Sequence, residues 1–497
     1  MDSHEFRRVG HELIDWIADY FDNVDQYPVL SRVQPGEIRS RLPADAPEQP
    51  EPWDAILNDF RDVILPGVTH WNHPRFFAYF PANHSAPAVL GELLSAGLGI
   101  NAMLWQTCPA ATELEEVVME WLRRLVGLPV DFRGSIQDTA SSATMTALLC
   151  ARERTTGEAV NRGGFTAVPA GAPLRIYVSG EGHSSVEKGA KAAGFGAEHV
   201  VKVAVDGAYA LEPDDLRRRI AEDRAAGRQP CAVVATVGTT GSTAVDPLPA
   251  IARICRDEDL WLHVDAALAG SAAILPEKRW LLDGAEHAHS LVFNPHKWLF
   301  TNFDCSAYFT REPALLQKTM AIDPEYLRTD RDREVTNFRD WGLPLGRRFR
   351  ALKLWFVLRS FGAQGLRDKL REHLDLAQWF AGQVAADPAF ELLAPVPVQT
   401  VCFRHRPEAG AAMVTSATDR AGESPPPLTG RTPEEDELDR RNKALLDRIN
   451  GTGRVFLTHT RLGGRYTLRM SIGQLQTRRE HVEEAWALIR AAAEPEA

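Results

Sequence analysis

Two charged residues lie directly after apolar segments that indicate β-strands. Lys297 follows SLVFNPH, in which Asn294-Pro295 is a turn signal, and Asp265 ends WLHVD. Taken alone, such a lysine is most often a surface-loop residue, and the aspartate could simply cap a turn. The alternative is a partly desolvated lysine whose neutral amine forms a Schiff base, and a buried carboxylate that faces a cationic group.

A cluster of hydroxyl residues marks a second place where chemistry could occur. Where a strand gives way to a helix, the segment DTASSAT supplies four of them: Thr139, Ser141, Ser142 and Thr144. Free amide protons and the helix dipole favour an anion there, although a helix cap needs only one hydroxyl, and both roles can hold together. His183 and Thr240 follow other strand-like segments. By composition alone, a histidine in that position is more often structural than catalytic.

These residues need a scaffold that brings several strand ends together. From about residue 110 to 310, short apolar runs such as CAVVATV and WLHVDAA alternate with stretches of helical length. Strands separated by helical crossovers predict an α/β fold, in which a mainly parallel sheet is covered on both faces. Ligands of such sheets bind at the carboxyl ends of the strands, which is where Lys297 and Asp265 lie.

The chain is too long for one compact domain. We predict an N-terminal helical dimerisation segment over 1–85, a large domain over 86–365 and a small C-terminal α+β domain over 366–497. Near the N-terminus, apolar residues recur at helical spacing beside an acidic polar face, which favours a protein partner such as a second copy of the chain. A Pro-, Ala- and Ser-rich stretch at 406–436 predicts a disordered insertion, and 321–342 predicts an exposed, mobile loop.

The composition disfavours several classes of protein. The chain has 497 residues, with Lys plus Arg 56 and Asp plus Glu 67, so its formal net charge is −11. Nucleic-acid binding needs clustered basic residues and is not expected, and no segment is long and apolar enough to cross a membrane. Six scattered cysteines form no Cys-x-x-Cys pair, so neither a metal site nor a disulfide framework is indicated. Without a secretory signal at the N-terminus, we expect a cytoplasmic protein.

The motifs, in their order, resemble the pyridoxal-phosphate group II amino-acid decarboxylases, and among them the aromatic-L-amino-acid decarboxylases. The resemblance rests on HVDAA at 263–267 and NPHKW at 294–298, preceded by GHSS and ATVGTT. It extends from HPRFFAYFP at 73–81 to PLGRRFRALKLWFVLRSFG at 344–362, and covers nearly all of the chain except 406–436. It implies that the large domain binds pyridoxal phosphate and has the fold-type I, aspartate aminotransferase-like architecture.

The resemblance assigns roles around the cofactor. Lys297 is implied to carry pyridoxal 5′-phosphate as a Schiff base, and Asp265 to pair with the ring nitrogen, which must stay protonated for the ring to accept electrons. His183 and Ala267 are implied to pack on opposite faces of the ring. The other cofactor-binding residues implied are Thr139, Ala140, Ser141, Asn294 and His296 around the phosphate, and Thr240 near the phenolic oxygen.

The resemblance also implies the reaction and the assembly. An aromatic L-amino acid (tryptophan, phenylalanine, tyrosine or a hydroxylated relative) is implied to lose CO₂ and give the arylalkylamine, in a homodimer whose active site lies at the interface. Tyr326, on a loop that reaches across this interface, is implied to return the proton to Cα. The implied substrate pocket consists of Trp71, Tyr79, Phe80, Pro81, Asn101, Met103 and Gly346.

Several positions depart from the family pattern and leave the substrate open. Ala82 stands where animal relatives have a hydroxyl residue, and Leu268 replaces a common tyrosine. Asn101 and Met103 replace an aliphatic and aromatic pair. Gly346 matches a site where glycine accompanies indolic substrates in plant relatives, which leaves room for tryptophan.

Two related activities and two other classes of protein compete with this interpretation. An aldehyde synthase typically lacks either His183 or Tyr326, and both are present here. A decarboxylase for an acidic or diamino substrate remains open on the same scaffold. A nicotinamide-binding oxidoreductase would need a Gly-x-Gly-x-x-Gly after a strand, which the sequence lacks. A non-catalytic protein of this fold would be expected to have lost Lys297 or Asp265.

Overall fold

The structure, a computed structural model, describes residues 1–168, 172–322, 324–407 and 432–494. Its α-helices are α1 Ser3–Asn23, α2 Glu37–Arg41, α3 Trp53–Asp59, α4 Ala86–Leu98, α5 Pro109–Val126, α6 Ala140–Thr156, α7 Ala159–Gly163, α8 Ser184–Ala192, α9 Pro213–Ala225, α10 Leu248–Asp257, α11 Pro295–Trp298, α12 Pro313–Met320, α13 Arg350–Ala386, α14 Pro433–Gly451 and α15 Arg479–Ala493. Its β-strands are β1 Arg133–Gln137, β2 Leu174–Ser179, β3 Val200–Val203, β4 Gln229–Thr236, β5 Trp261–Asp265, β6 Ser290–Phe293, β7 Ser306–Thr310, β8 Phe390–Leu392, β9 Thr400–His405, β10 Thr458–Leu462 and β11 Arg465–Ser471.

Seven strands form the large sheet, in the order β1-β7-β6-β5-β4-β2-β3. The five strands from β6 to β3 are parallel, whereas β7 runs antiparallel to both β1 and β6. Side chains of β5 alternate between two hydrophobic clusters, one containing Leu262 and the other Trp261, because the sheet is covered on both faces. The prediction of a mainly parallel, doubly covered α/β sheet is confirmed.

The strand ends of this sheet are in register where the candidate residues lie. Asp265 pairs with Thr236 at the end of β4 and with Val292 near the end of β6. Beyond the last pairs, the Asn294 amide donates to the Ala267 carbonyl over 2.9 Å, which holds the two following loops together. The carboxyl ends of β4, β5 and β6 therefore meet at one edge, as the ligand-binding rule for such sheets requires.

Four antiparallel strands form the second sheet, in the order β10-β11-β9-β8. The helices α14 and α15 and the end of α13 pack on one of its faces, where the Trp486 ring lies edge-on to Phe380 and Phe390 at 5.7 and 5.0 Å between centroids. The other face of β11 carries Arg469 toward the large sheet, where its guanidinium donates to the Gly241 carbonyl. The prediction of a small C-terminal α+β unit is confirmed.

The N-terminal segment begins with the predicted helix, α1. The Asp2 carboxylate caps it by accepting from the amides of His4 and Glu5 over 2.9 and 2.8 Å. Apolar side chains on its surface, Phe6 and Ile14, are exposed. Across the described residues, no helix has the length and apolar character needed to span a bilayer. The domain boundaries near 85 and 365 stay predictions.

Two segments that looked irregular in sequence behave differently. The segment 321–342 exposes Tyr326, but it buries Leu327, Phe338 and Trp341, so the prediction of an exposed, mobile loop is only partly right about exposure. Apolar residues scattered among its charges anchor it to the large domain. Of the predicted insertion at 406–436, residues 408–431 lie outside the described residues, and the last four positions already belong to α14.

Candidate active site

Lys297 and Asp265 lie close together at the sheet edge. Asp265 is the last residue of β5 and is 4% exposed, and its Oδ1 accepts from the Ala267 amide over 3.1 Å. Lys297 lies in the short helix α11, which follows β6 after the single residue Asn294. The two charges influence each other, because the Asp265 carboxylate works to raise the pKa of Lys297.

The surroundings of Lys297 make its amine easier to deprotonate than that of an exposed lysine. Burial lowers its pKa below the ordinary 10.5, and the Arg469 cation lowers it further, against the opposing effect of Asp265. In the part of the chain that the structure describes, no ion pair joins Lys297 to Asp265. The amine instead lies 5.3 Å from the centre of the Phe80 ring. A neutral lysine amine is a nucleophile, which is the chemistry predicted from its place after the strand.

His183 caps a helix beside these two residues. It precedes α8, and its Nδ1 accepts from the Ser185 amide over 3.1 Å, so the neutral ring carries its proton on Nε2. Desolvation lowers the pKa of His183 below 6.5, and the Lys297 charge adds to this effect while the Asp265 charge opposes it. The structure therefore brings together the lysine, the aspartate and the histidine that the sequence singled out.

A set of hydrogen-bond donors suited to an anion lies at the start of α6. Thr139 caps this helix by accepting from the Ser142 amide over 3.4 Å, which leaves the preceding amides, of Ala140 and Ser141, without helical partners. The helix is seventeen residues long, and its dipole favours negative charge at this end. The hydroxyl cluster thus acts as a cap and also opens an anion site, as the sequence allowed.

Two side chains from the α11 turn add donors to the same anion site. The Asn294 Oδ1 accepts from the Ser306 hydroxyl over 2.8 Å, which makes the amide nitrogen of Asn294 its remaining polar group. The His296 Nδ1 accepts from the Cys305 amide over 2.9 Å, so the proton of its neutral ring lies on Nε2. Burial lowers the pKa of His296 to about 3, which keeps the ring neutral. Both side chains are buried, and the Ser306 hydroxyl beside Asn294 also lies 3.3 Å from the carbonyl of Asp138, the residue before Thr139.

Thr240 lies at the rim of the pocket, in the turn after β4. Gly238 in this turn has φ +87°, and a Cβ there would lie 2.8 Å from the Ala269 Cβ, so the tight turn requires glycine. Thr240 is exposed in the single chain, and the carbonyl of the next residue, Gly241, accepts from Arg469 over 3.1 Å. Its predicted contact with a ring oxygen stays a prediction.

Arg469 is a functional candidate that the sequence reasoning missed. It is a buried cation, and burial lowers its pKa to about 10. Its Nε donates to the Gly241 carbonyl and one terminal nitrogen to the Ala78 carbonyl over 2.8 Å, while the other terminal nitrogen is buried with no protein partner among the described residues. An uncompensated buried cation next to Lys297 calls for an anionic group from a ligand.

Phe80 lies beside Arg469 and Lys297, and two other aromatic residues of the N-terminal segment stack on each other. The Phe80 ring centre lies 4.6 Å from the Arg469 guanidinium carbon, and the rings of Trp71 and Tyr79 stack at 5.6 Å between centroids. Tyr79 is half exposed and Trp71 is 39% exposed, so both present ring surface outward, while Pro81 is buried. The assignment of Trp71, Tyr79, Phe80 and Pro81 to a substrate pocket stays a prediction, and the Phe80 ring suits contact with a flat apolar group.

Three other predicted pocket residues form a separate cluster in the single chain. The Asn101 Oδ1 accepts from the Arg347 amide over 2.9 Å, and a Cβ at Gly346 would lie 3.5 Å from the Asn101 amide nitrogen. The amide nitrogen of Asn101 also donates to the Met103 sulfur over 3.7 Å. Among the described residues, no hydrogen bond or ion pair joins this cluster to Lys297. Tyr326 is likewise outside the pocket, with 77% of its surface exposed.

The residues of the pocket fit pyridoxal phosphate. A buried carboxylate and a buried amine that interact without pairing suit a flat ring whose nitrogen needs Asp265 and whose carbonyl carbon needs Lys297. The donor set of Asn294, His296 and the amides at the start of α6 suits a phosphate group. Each part of the cofactor thus finds a matching group.

Comparisons with known proteins agree with this fit. A model of the pyridoxal-dependent decarboxylase conserved domain matches residues 35–406. The chain is 41% identical to a phenylacetaldehyde synthase of Arabidopsis thaliana, over 99% of this chain and 96% of that protein. It is 41% identical to tyrosine decarboxylase 1 of Narcissus pseudonarcissus, over 99% and 92%. A crystal structure of Oryza sativa TDC with PLP and tryptamine superposes with a TM-score of 0.91 at 36% identity, covering 99% of this chain and 98% of that one.

Proposed function

Because the chain belongs to the pyridoxal-dependent decarboxylase family, we propose that it converts an aromatic L-amino acid into the corresponding arylalkylamine and CO₂. The observation that carries this proposal is the pair of buried groups at the sheet edge, the Lys297 amine and the Asp265 carboxylate, with the Arg469 cation beside them. When bound, pyridoxal phosphate supplies an electron sink for the electrons left behind as CO₂ departs.

The chain's own residues would hold the cofactor at five places. Lys297 would be the attachment residue, and Asp265 would keep the ring nitrogen protonated because a buried carboxylate stabilises a neighbouring positive charge. His183 and Ala267 would pack on the ring, and Thr240 would bind its phenolic oxygen. The phosphate would be held by a set of five residues: Thr139, Ala140, Ser141, Asn294 and His296.

Arg469 and the aromatic wall orient the substrate. The unpartnered terminal nitrogen of Arg469 binds the α-carboxylate and holds it apart from the amine, which must approach Lys297. The substrate ring packs against Phe80, Trp71 and Tyr79, which offer little to an acidic or basic side chain. This wall favours an aromatic amino acid over an acidic or diamino one.

A homodimer completes the site in this proposal. Tyr326 is exposed, and among the described residues no hydrogen bond joins the cluster of Asn101, Met103 and Gly346 to Lys297, so we assign both to the pocket of a second copy. The helix α4 exposes four leucines, Leu90, Leu93, Leu94 and Leu98, a surface that a partner would cover. Tyr326 returns the proton to Cα, and the loop that carries it excludes water. A cytoplasmic location stays a prediction from sequence.

Aldehyde formation is the second candidate, because one relative with 41% identity is a phenylacetaldehyde synthase. His183 and Tyr326 are both present, and aldehyde synthases typically lack one of them, so decarboxylation is favoured.

A substrate panel separates these outcomes. Purified protein loaded with pyridoxal phosphate is incubated with tryptophan, tyrosine, phenylalanine, glutamate and a diamino acid, and CO₂, amine, aldehyde and hydrogen peroxide are each quantified. The proposal expects amine and CO₂ in equal amounts from an aromatic substrate. Aldehyde with peroxide as the main products, or turnover of glutamate alone, would overturn it.

A further inference from the structure

Asn83 is a buried side chain that no part of the proposed mechanism uses. It is 2% exposed and belongs to the N-terminal segment, more than two hundred residues away in sequence from Lys297. Its backbone amide donates to the His296 carbonyl over 3.0 Å, and its Nδ2 donates to the Lys297 carbonyl over 2.7 Å. Because α11 has only four residues, its last carbonyls lack helical partners, and Asn83 supplies partners for two of them in succession.

The same side chain also reaches the segment that follows β11. The Asn83 Nδ2 donates to the Gly473 carbonyl over 2.7 Å, and its Oδ1 accepts from the Leu475 amide over 3.1 Å. A Cβ at Gly473 would lie 2.8 Å from the Pro81 ring, which is too close for any residue larger than glycine. The segment after β11 therefore packs tightly against the segment that carries Asn83. All hydrogen-bonding groups of the Asn83 amide are therefore used.

These contacts join the backbones that carry the two cations of the pocket. Lys297 is bonded to Asn83 directly, and Arg469 lies four residues before Gly473. Both cations also lie over the ring of Phe80, three residues before Asn83, at 5.3 and 4.6 Å from its centre. One short segment of chain thus contacts both side chains through Phe80 and both backbones through Asn83.

We propose that Asn83 is a positioning residue that sets the separation between the Lys297 amine and the Arg469 guanidinium. The proposal rests on the proposed function. There, the substrate amine approaches Lys297 and the substrate carboxylate binds Arg469. A substrate must satisfy both groups in one pose, and a displacement of about 1 Å costs on the order of 100-fold in rate. Asn83 prevents such a displacement by bonding both backbones at once.

The test compares Asn83→Ala with a matched control, Ser85→Ala. Ser85 is also 2% exposed, lies two residues further on, and donates its hydroxyl to the Phe300 carbonyl over 2.7 Å, so it makes a buried bond near α11 that does not touch Lys297. In Asn83→Ala holoenzyme, kcat/KM for the amino acid is expected to fall about 10- to 100-fold. Ser85→Ala is expected to stay within about threefold of the wild type, because its lost bond lies away from the reacting groups.

A second readout separates positioning from general stability. With pyridoxal phosphate bound on Lys297, the pH titration of the visible band would report the charge of the nitrogen that joins them, which the neighbouring Arg469 cation disfavours. The pH midpoint of this titration is expected to rise in Asn83→Ala and to stay unchanged in Ser85→Ala. The two variants are expected to unfold at comparable temperatures. If both variants lose stability and activity in parallel and neither shifts the titration, Asn83 is only structural and the proposal is overturned.

Two further variants keep the proposal falsifiable. Asn83→Ser retains one donor, so its kcat/KM is expected to lie between those of the wild type and Asn83→Ala. Asn83→Asp places a carboxylate against two carbonyls and is expected to have the lowest kcat/KM. The reverse order of kcat/KM values contradicts the proposal. Failure of the proposed function would appear in the wild type, as absence of amine product. The pH profile of Lys297 reductive methylation in the cofactor-free chain then tests Asn83 alone, and a profile unchanged in Asn83→Ala overturns its role.

Discussion

Replacing Arg469 by methionine is expected to remove the group that binds the substrate carboxylate while leaving the hydrophobic bulk in place. Two of the three guanidinium nitrogens already donate to the Gly241 and Ala78 carbonyls, so one terminal nitrogen remains for a ligand. A hydrogen bond to a charged group contributes about 1.5–3 kcal/mol. At about 1.4 kcal/mol for each factor of ten, kcat/KM for the amino acid should fall roughly 10- to 150-fold.

The assay compares the amino acid with its own product. The arylalkylamine has no carboxylate, so its inhibition constant should change little in Arg469→Met, while kcat/KM for the amino acid falls. A matched control is Arg465→Met, on the same strand, whose guanidinium donates to the hydroxyl of the buried Tyr209. Arg465→Met should leave both constants unchanged.

One pattern of results would refute the role of Arg469. If the amino acid and the amine weaken by the same factor in Arg469→Met, the arginine supports the fold of the pocket and does not bind the carboxylate. Arg469→Lys gives a further check, because it keeps the charge and loses the planar fork, and it should recover only part of the lost kcat/KM.

Three other outcomes follow from the structure. Tyr326→Phe should shift the product from amine toward aldehyde and peroxide, measured by product analysis; unchanged amine output would remove Tyr326 from the proton-return role. Gly346→Ser should lower kcat/KM for tryptophan more than for tyrosine, since a Cβ there already lies 3.5 Å from Asn101; equal losses would contradict this. Burial lowers the pKa of His296 and of His373 to about 3, against 6.5 when unfolded, so the unfolded chain takes up protons first and the free energy of unfolding should drop as pH falls from about 6.5 toward 3. Unfolding midpoints that stay constant over this range would contradict the assignment of neutral buried histidines.

Local sequence pattern was enough to predict the part of the site that lies at the sheet edge. Asp265 ends one strand of the parallel sheet, and Lys297 and His183 follow two others. Parallel strands place their carboxyl ends at one edge, so the proximity of the three residues follows from the fold class. The seventeen-residue helix α6 likewise had to begin at the hydroxyl cluster, because Thr139 is a good helix cap and the apolar run follows it.

The residues that the sequence did not reveal come from elements that are remote in the chain. Arg469 belongs to β11, and its burial depends on how the C-terminal sheet docks on the turn at Gly241, a contact that no local pattern encodes. One signal was present: Thr467, Arg469 and Ser471 alternate on one face of a strand and are all buried, and a buried polar face marks an interface. Asn83 carried no such signal, because its role consists of bonds to two segments far away in sequence.

The most direct test of the account is to locate the lysine that holds the cofactor. Wild-type protein loaded with pyridoxal phosphate is reduced with borohydride, digested and mapped by mass spectrometry, with Asp265→Asn and Lys297→Ala treated in parallel. The account predicts one pyridoxyl group per chain, on Lys297 in the wild type, and no visible band or label in Lys297→Ala. A label on another lysine, or a wild-type chain that remains colourless and unlabelled, would contradict it.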